Sequence, residues 1–192
     1  MTQRRRISPG HNPIHDNRPA ARSPIVHDSS FVVLTGKGAY GMLLEGKRIL
    51  ITGGSSGIGR ALAIAMAAKG ASVAVCGRHA DTLEQVGEQH PSIHGFAADV
   101  TIPKQISALK RQLDNAMGGI DVLVNNAGRM VQFDAREGIP EAIESEVMLN
   151  LMAPLRLTRL FLPQLMQRDS AAIINVTSGL ALWPNRTSPV YA

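Results

Sequence analysis

From Lys47 onward, short runs of β-branched and aliphatic residues alternate with longer stretches whose apolar positions recur every three or four residues. The pattern predicts strands over Arg48–Thr52, Ser72–Cys76, Ile93–Ala97, Asp121–Asn125 and Ala171–Val176. Between them it predicts helices near Gly57–Lys69, Ala80–Gln89, Ile102–Met117 and Glu141–Arg168. In the third helix Ile106, Leu109, Leu113 and Met117 share one face, while Lys104, Lys110, Arg111 and Asp114 lie elsewhere, so the apolar set is core. Pro140 stands just before the long helix, where a missing amide donor is harmless, whereas Pro154 and Pro163 fall inside it and are expected to bend or divide it. Strands separated by helices build crossover units, and crossover units build a parallel sheet covered on both faces. The fold class is therefore α/β, a doubly wound parallel sheet.

Residues 1–41 break the pattern. They hold four Pro, four Gly and three His, with no apolar periodicity beyond Phe31-Val32-Val33-Leu34, and are expected to be a disordered basic extension. Residues 42–192 form the folded domain, and Met42 is a natural start for it. The charge of +5 divides unevenly, net +4 in residues 1–41 and net +1 in the remainder, so the body makes no electrostatic case for nucleic acid. The triplet Arg4-Arg5-Arg6 lacks the apolar segment that an export signal needs, and a salt-sensitive RNA contact by this arm is the weakest functional alternative. The longest apolar stretches are too short to cross a bilayer, and one cysteine, Cys76, makes no internal disulfide; a cytosolic protein without a membrane partner is the expectation. Cys76 reads as packed and His79 as solvent-facing.

The first strand runs into Thr52-Gly53-Gly54-Ser55-Ser56-Gly57-Ile58-Gly59 and then directly into a helix. Glycines there let the main chain approach a pyrophosphate that faces the amides and positive end of the helix. The spacing is Gly-x-x-x-Gly-x-Gly without a Gly-Lys-Ser/Thr ending, so a magnesium-dependent phosphoryl-transfer loop is poorly supported and dinucleotide binding is favoured over a plain flexible turn. The second strand ends Val75-Cys76-Gly77-Arg78. No acid is present to accept the ribose hydroxyls of NAD, and Arg78 offers a planar grip on a 2′-phosphate, which favours NADP(H), with NAD the alternative cofactor and a plain surface arginine the alternative role.

The segment Thr52 to Gly59 resembles the cofactor motif of the short-chain dehydrogenase/reductase family, and three further segments agree in order. Asn125-Asn126-Ala127-Gly128 resembles the family's Asn-Asn-Ala-Gly element, Asp99-Val100 its adenine-contacting Asp, and Thr177-Ser178 followed by Tyr191 its catalytic Ser and Tyr. The resemblance implies a Rossmann fold and a cofactor site of Thr52, Gly53, Ser55, Ser56, Gly57, Ile58, Gly59, Arg78, Asp99, Val100, Asn126, Ala127 and Gly128. It implies that Tyr191 exchanges a proton with a carbonyl or alcohol oxygen, that Ser178 bonds the same oxygen, and that Asn150 supports a water in the proton path. The wording around Ser178 is also similar to a bacterial subgroup related to lipoteichoic D-alanylation oxidoreductases.

In the family a Lys four residues after the Tyr activates the phenol and anchors the nicotinamide ribose. That position falls three residues past Ala192, so the domain reads as incomplete at its C-terminus. Alternatives stay open on this account: Tyr191 as a frayed terminal residue, Ser178 as an ordinary strand-end hydroxyl, Asn150 as a cap near Pro154. The functional readings are an NADP(H)-dependent oxidoreductase of small carbonyls or secondary alcohols, or a non-catalytic dinucleotide-binding fragment. The resemblance implies a homo-oligomer at full length, and an incomplete sheet is expected to leave an apolar edge and face exposed.

Overall fold

The computed structural model describes residues 30–35, 43–184 and 186–191. A six-stranded sheet forms the centre. Its strands are β1 (Ser30–Thr35), β2 (Arg48–Thr52), β3 (Ser72–Gly77), β4 (Ile93–Ala97), β5 (Val122–Asn125) and β6 (Ala172–Ser178), in spatial order β1-β6-β5-β2-β3-β4. All neighbours from β6 to β4 run parallel, and β1 is antiparallel to β6. The helices are α1 (Gly57–Ala67), α2 (Ala80–Gly87), α3 (Pro103–Met117), α4 (Ala142–Val147) and α5 (Ala153–Leu165).

Alternate residues of a strand face opposite sides, and the central strands use both faces. Ile49, Ile51, Val73, Val75, Val122 and Val124 point to the layer that contains Ala63, Ala67, Leu83 and Val86 of α1 and α2. Leu50, Ala74, Cys76 and Leu123 point to the other layer, with Ile106, Leu109 and Leu113 of α3 and Leu157, Phe161 and Leu165 of α5. Each fully buried aliphatic of this kind contributes roughly 1.5–3 kcal/mol, which is why these unbroken apolar runs specify central parallel strands. Burial pushes the Cys76 thiol up to about 12 despite the Gly53 amide beside it, in keeping with a packed side chain.

The long helix is divided as the prolines require. A single π-helical turn, Met148–Met152, separates α4 from α5 just ahead of Pro154, so the helix absorbs one extra residue where Pro154 supplies no amide to bond back. Pro163 stays within α5.

Two expectations need correction. Ser30–Thr35, assigned in the sequence to a structureless extension, forms β1, with Phe31 opposite Thr177 and Val33 opposite Asn175. The β6 edge, expected to lie open, is paired by this strand. The cause is long-range: β1 gains its ladder from a partner about 140 residues away, which local periodicity cannot register. Arg4-Arg5-Arg6 and Met42 lie outside the described residues. Leu151, Leu155, Leu162 and Met166 stand exposed along the π turn and α5 and just beyond, and β6 is mostly half-buried. No described helix is long and apolar enough to cross a membrane.

At the amino edge of the sheet, the Arg48 guanidinium forks onto Asp121 (Nη2 to Oδ1 2.7 Å, Nε to Oδ2 3.0 Å), the Arg48 amide adds a third bond at 2.9 Å, and Arg168 Nε stands 3.2 Å from Oδ1. Burial pushes the Asp121 carboxyl up, but the hydrogen bonds from Arg48 and the charges of Arg48 and Arg168 outweigh it and hold it below the ordinary carboxylate range. Its stabilisation is then complete above the unfolded value of about 3.9 and is lost as pH falls through the lower folded value. Asp121→Asn is expected to flatten the acid limb of stability below about pH 4, read as the urea midpoint against pH. An unchanged acid limb would show that the fork contributes nothing.

Candidate functional site

Most of the predicted site residues fall at the carboxyl edge of the sheet or in the segments that leave it, the side where open parallel sheets hold ligands; Gly57, Ile58 and Gly59 open α1, and Asn150 lies in the π turn. The glycine loop follows β2. Gly53 takes φ +65° and Gly57 φ +51°, the left-handed region that side chains avoid. A Cβ on Gly59 would press against the Gly53 carbonyl oxygen and stand 2.5 Å from Asn126 Nδ2, whereas one on Gly57 would meet open space. Gly59 thus permits close packing of helix and loop, and Gly57 faces a vacant approach. The first turn of α1 has no side-chain cap from Ser56, and Ser56, Gly57 and Ile58 are exposed, so its leading amides point outward at the positive end of an eleven-residue helix.

Thr52 is 1% exposed and acts differently from the expectation that it contacts cofactor. Its Oγ1 accepts from the amides of Asn126 and Ala127, both at 3.0 Å, and donates to the Val124 carbonyl at 3.4 Å. Asn126 returns the bond, its Nδ2 donating to the Thr52 carbonyl at 2.9 Å and to that of Gly53 at 3.3 Å. The hydroxyl and the amide side chain together clasp the glycine loop to the Asn-Asn-Ala-Gly segment.

The ends of β3 and β4 flank this clasp. The Ser55 hydroxyl lies 3.2 Å from the point that a Gly77 Cβ would take, which sets the loop against the strand end from which Arg78 projects, exposed. Asp99 is fixed by its own turn, its Oδ1 accepting from the Thr101 amide at 2.8 Å and the Thr101 hydroxyl at 2.6 Å. Val100 carries its side chain into the core, so any contact with ligand from it is through main chain.

Opposite the glycine loop, a cleft of about 900 Å³ brings together Ile58, Asn126–Gly128, Asn150, Ser178 and Tyr191. Ser178 closes β6, and its Oγ accepts from the Leu180 amide at 3.2 Å. Asn150 sits in the π turn and grips the cleft wall, Oδ1 accepting from the Arg129 amide at 2.9 Å and Nδ2 donating to the Arg129 carbonyl at 2.7 Å. Asn150 is therefore an organiser of the wall rather than a helix cap. Arg78, Asp99 and Val100 lie outside this cleft, along the same edge.

The sequence of the family described as short chain dehydrogenase matches residues 47–192. The chain belongs to the short-chain dehydrogenase family. Among its relatives, an uncharacterised oxidoreductase of Bacillus subtilis, DltE, is 40% identical over 152 residues, covering 78% of this chain and 60% of that protein. A fatty acyl-CoA reductase of Mycobacterium tuberculosis is 36% identical over 155 residues, covering 78% and 52% respectively. Among solved dehydrogenases, L-sorbose reductase from Gluconobacter frateurii, complexed with NADPH and L-sorbose, has a TM-score of 0.72 at 33% identity, covering 78% of this chain and 60% of that one. A 3-ketoacyl-(acyl-carrier-protein) reductase from Brucella melitensis, complexed with NADH, gives 0.71 at 31% identity, covering 77% and 64%. The chain thus spans only 60% and 52% of the length of these two curated relatives.

Two polar groups near the site escape sequence reasoning. Asn175, in the middle of β6, stands beside Asn125 in register, Asn125 Nδ2 donating to Asn175 Oδ1 at 2.8 Å. Glu146 is 1% exposed and its Oε2 accepts from the Val131 amide at 2.6 Å. No local signal marks it, since a glutamate in an amphipathic helix reads as solvated.

Proposed function

We propose that the chain binds NADP(H) across the carboxyl edge of the sheet and serves hydride transfer between the nicotinamide and a small carbonyl or secondary alcohol in the cytosol. The observation that carries the proposal is the convergence on one edge of the open Gly57 cradle, the Thr52–Asn126 clasp and the cleft that contains Ser178, Tyr191 and Asn150. The residues fit a dinucleotide: bare main chain at a helix tip suits a pyrophosphate, and Asp99 at the end of β4 suits the adenine side.

When bound, the nicotinamide supplies or accepts the hydride. The protein's share is to hold and to protonate. Amides at the start of α1 hold the diphosphate, and Arg78 beside Ser55 offers its fork to a 2′-phosphate. Ser178 Oγ hydrogen-bonds the substrate oxygen, and Tyr191 Oη gives that oxygen a proton in reduction or takes one in oxidation. Asn150 keeps the wall at Arg129 in place, so the substrate oxygen meets both hydroxyls at one position. The lining also includes Met130, Leu151, Leu155 and Val176 beside the polar Arg129, Thr158 and Thr177, which suits a substrate with both apolar and polar parts.

Turnover of a panel of small carbonyls with NADPH tests the proposal: turnover supports it, and binding of NADPH without turnover would select a non-catalytic dinucleotide-binding role instead.

Cofactor choice is tested at Arg78, whose side chain is exposed. Arg78→Ala is expected to weaken NADPH about 10–100-fold and to leave NADH within about 3-fold, the loss of one bidentate charge-assisted contact. Equal changes for both nucleotides, or none, would remove the NADP assignment.

A further inference from the structure

Glu146 and Ser188 are buried, at 1% and 0% exposure, and each retains one polar atom, Oε1 and Oγ, without a hydrogen-bond partner among the described residues. Both lie against the same stretch of chain. Glu146 Oε2 takes the Val131 amide at 2.6 Å, and one helical turn later Asn150 takes the amide and carbonyl of Arg129. Glu146 and Asn150, four apart on one helical stretch, therefore hold the main chain at Val131 and Arg129, two apart in the segment that follows Gly128. Two residues further on, the Phe133 amide donates to the Thr187 carbonyl at 3.0 Å, next to Ser188 and close in sequence to Tyr191. Residues 129–133 are thus held on one side by the helix and on the other bear the segment that brings Tyr191 into the cleft.

We propose that Glu146 is a positioning residue, which sets the 129–133 wall and, through the Phe133–Thr187 bond, the seat of Tyr191. A buried carboxyl does more than pack, because an apolar residue would fill the volume without leaving a polar oxygen in need of a partner. What the carboxylate adds is a strong, directed acceptor for one particular amide. The functional meaning of the seat rests on the dehydrogenase reading above; the clamp itself does not.

The test uses the full chain with Glu146→Ala, Glu146→Gln and Glu146→Asp, followed by residue-resolved amide hydrogen exchange and the ring resonances of Tyr191. Glu146→Ala is expected to speed exchange about 10-fold or more at both Val131 and Phe133 and to shift the Tyr191 ring signals, while β2 and β5 amides keep their protection. Glu146→Gln, which retains an oxygen acceptor of equal reach, is expected to restore exchange to within about 3-fold and to return the ring signals. Glu146→Asp, one methylene shorter, is expected to behave like Ala, so the Gln and Asp pair decides the matter if the Ala variant does not fold. Exchange that changes at Val131 alone with Tyr191 unmoved, or Gln no better than Asp, would overturn the proposal. NADPH titration of the unsubstituted chain is run separately: failure to bind would remove the dehydrogenase reading, and the exchange result would still decide on Glu146.

Discussion

Gly59→Ala is expected to lower affinity for NADPH by about 100-fold, equivalent to about 2.7 kcal/mol. The added methyl has no free volume: it would press on the Gly53 carbonyl and on Asn126 Nδ2, the two groups that hold the loop against the Asn-Asn-Ala-Gly segment. Relief requires the loop to lift from the clasp, and overpacking of this kind costs about 1–3 kcal/mol in its own right. Fluorescence titration with NADPH, paired with a melting curve, separates the two parts. Affinity within threefold of the unsubstituted chain would mean that the loop has another use.

The larger effect on stability is expected at Thr52. Thr52→Val keeps the shape of the side chain and removes the hydroxyl that accepts from Asn126 and Ala127. Two amide donors then lose their acceptor in a nearly closed site, which costs about 2–4 kcal/mol and lowers the melting temperature by about 5–15 °C. Thr52→Ser retains the acceptor and is expected to lose about 1 kcal/mol or less, the worth of one buried methyl. Urea denaturation of the three proteins checks the order. A valine variant as stable as the serine variant would show that the clasp carries no weight.

The contrast between Thr52 and Gly57 shows which parts of the site are legible in sequence. The glycine spacing, the position after a β-branched strand and the Asn-Asn-Ala-Gly element are local, and they predict the strand, turn and helix that the structure shows because these follow one another in the chain. The use of Thr52 is not local. Whether a hydroxyl at a strand end faces a ligand or a neighbouring strand depends on a partner more than 70 residues away, and here that partner is the Asn126–Ala127 backbone. Glu146 is hidden for the same reason: it belongs to a polar position of an amphipathic helix, and nothing in α4 announces the Val131 amide. Val100 lies beside the expected adenine contact yet supplies a core side chain, because the turn after β4 leaves Asp99 half-buried and packs Val100 against the helices.

The fold divides in the same way. Of the five parallel strands β2, β3 and β5 are the most legible because each is an aliphatic, largely β-branched run buried on both faces, and the helix bounds agree within a few residues because apolar period and proline placement act locally. The π turn follows from Pro154 in kind, a division of the long helix, though its geometry does not. β1 is illegible: four apolar residues among prolines and glycines acquire a strand conformation from the free edge of β6. Such an edge is a row of unpaired main-chain groups, and any extended segment within reach lowers its free energy by pairing.

The central claim is that the main chain between β2 and α1 receives a dinucleotide. Calorimetric titration of the folded chain with NADPH, and in parallel with NADH, tests it most directly. The expected result is one saturable site per chain, tighter for NADPH, whose heat disappears in the Gly59→Ala variant at the same concentrations. A cooperatively folded chain that takes up neither nucleotide would contradict the claim.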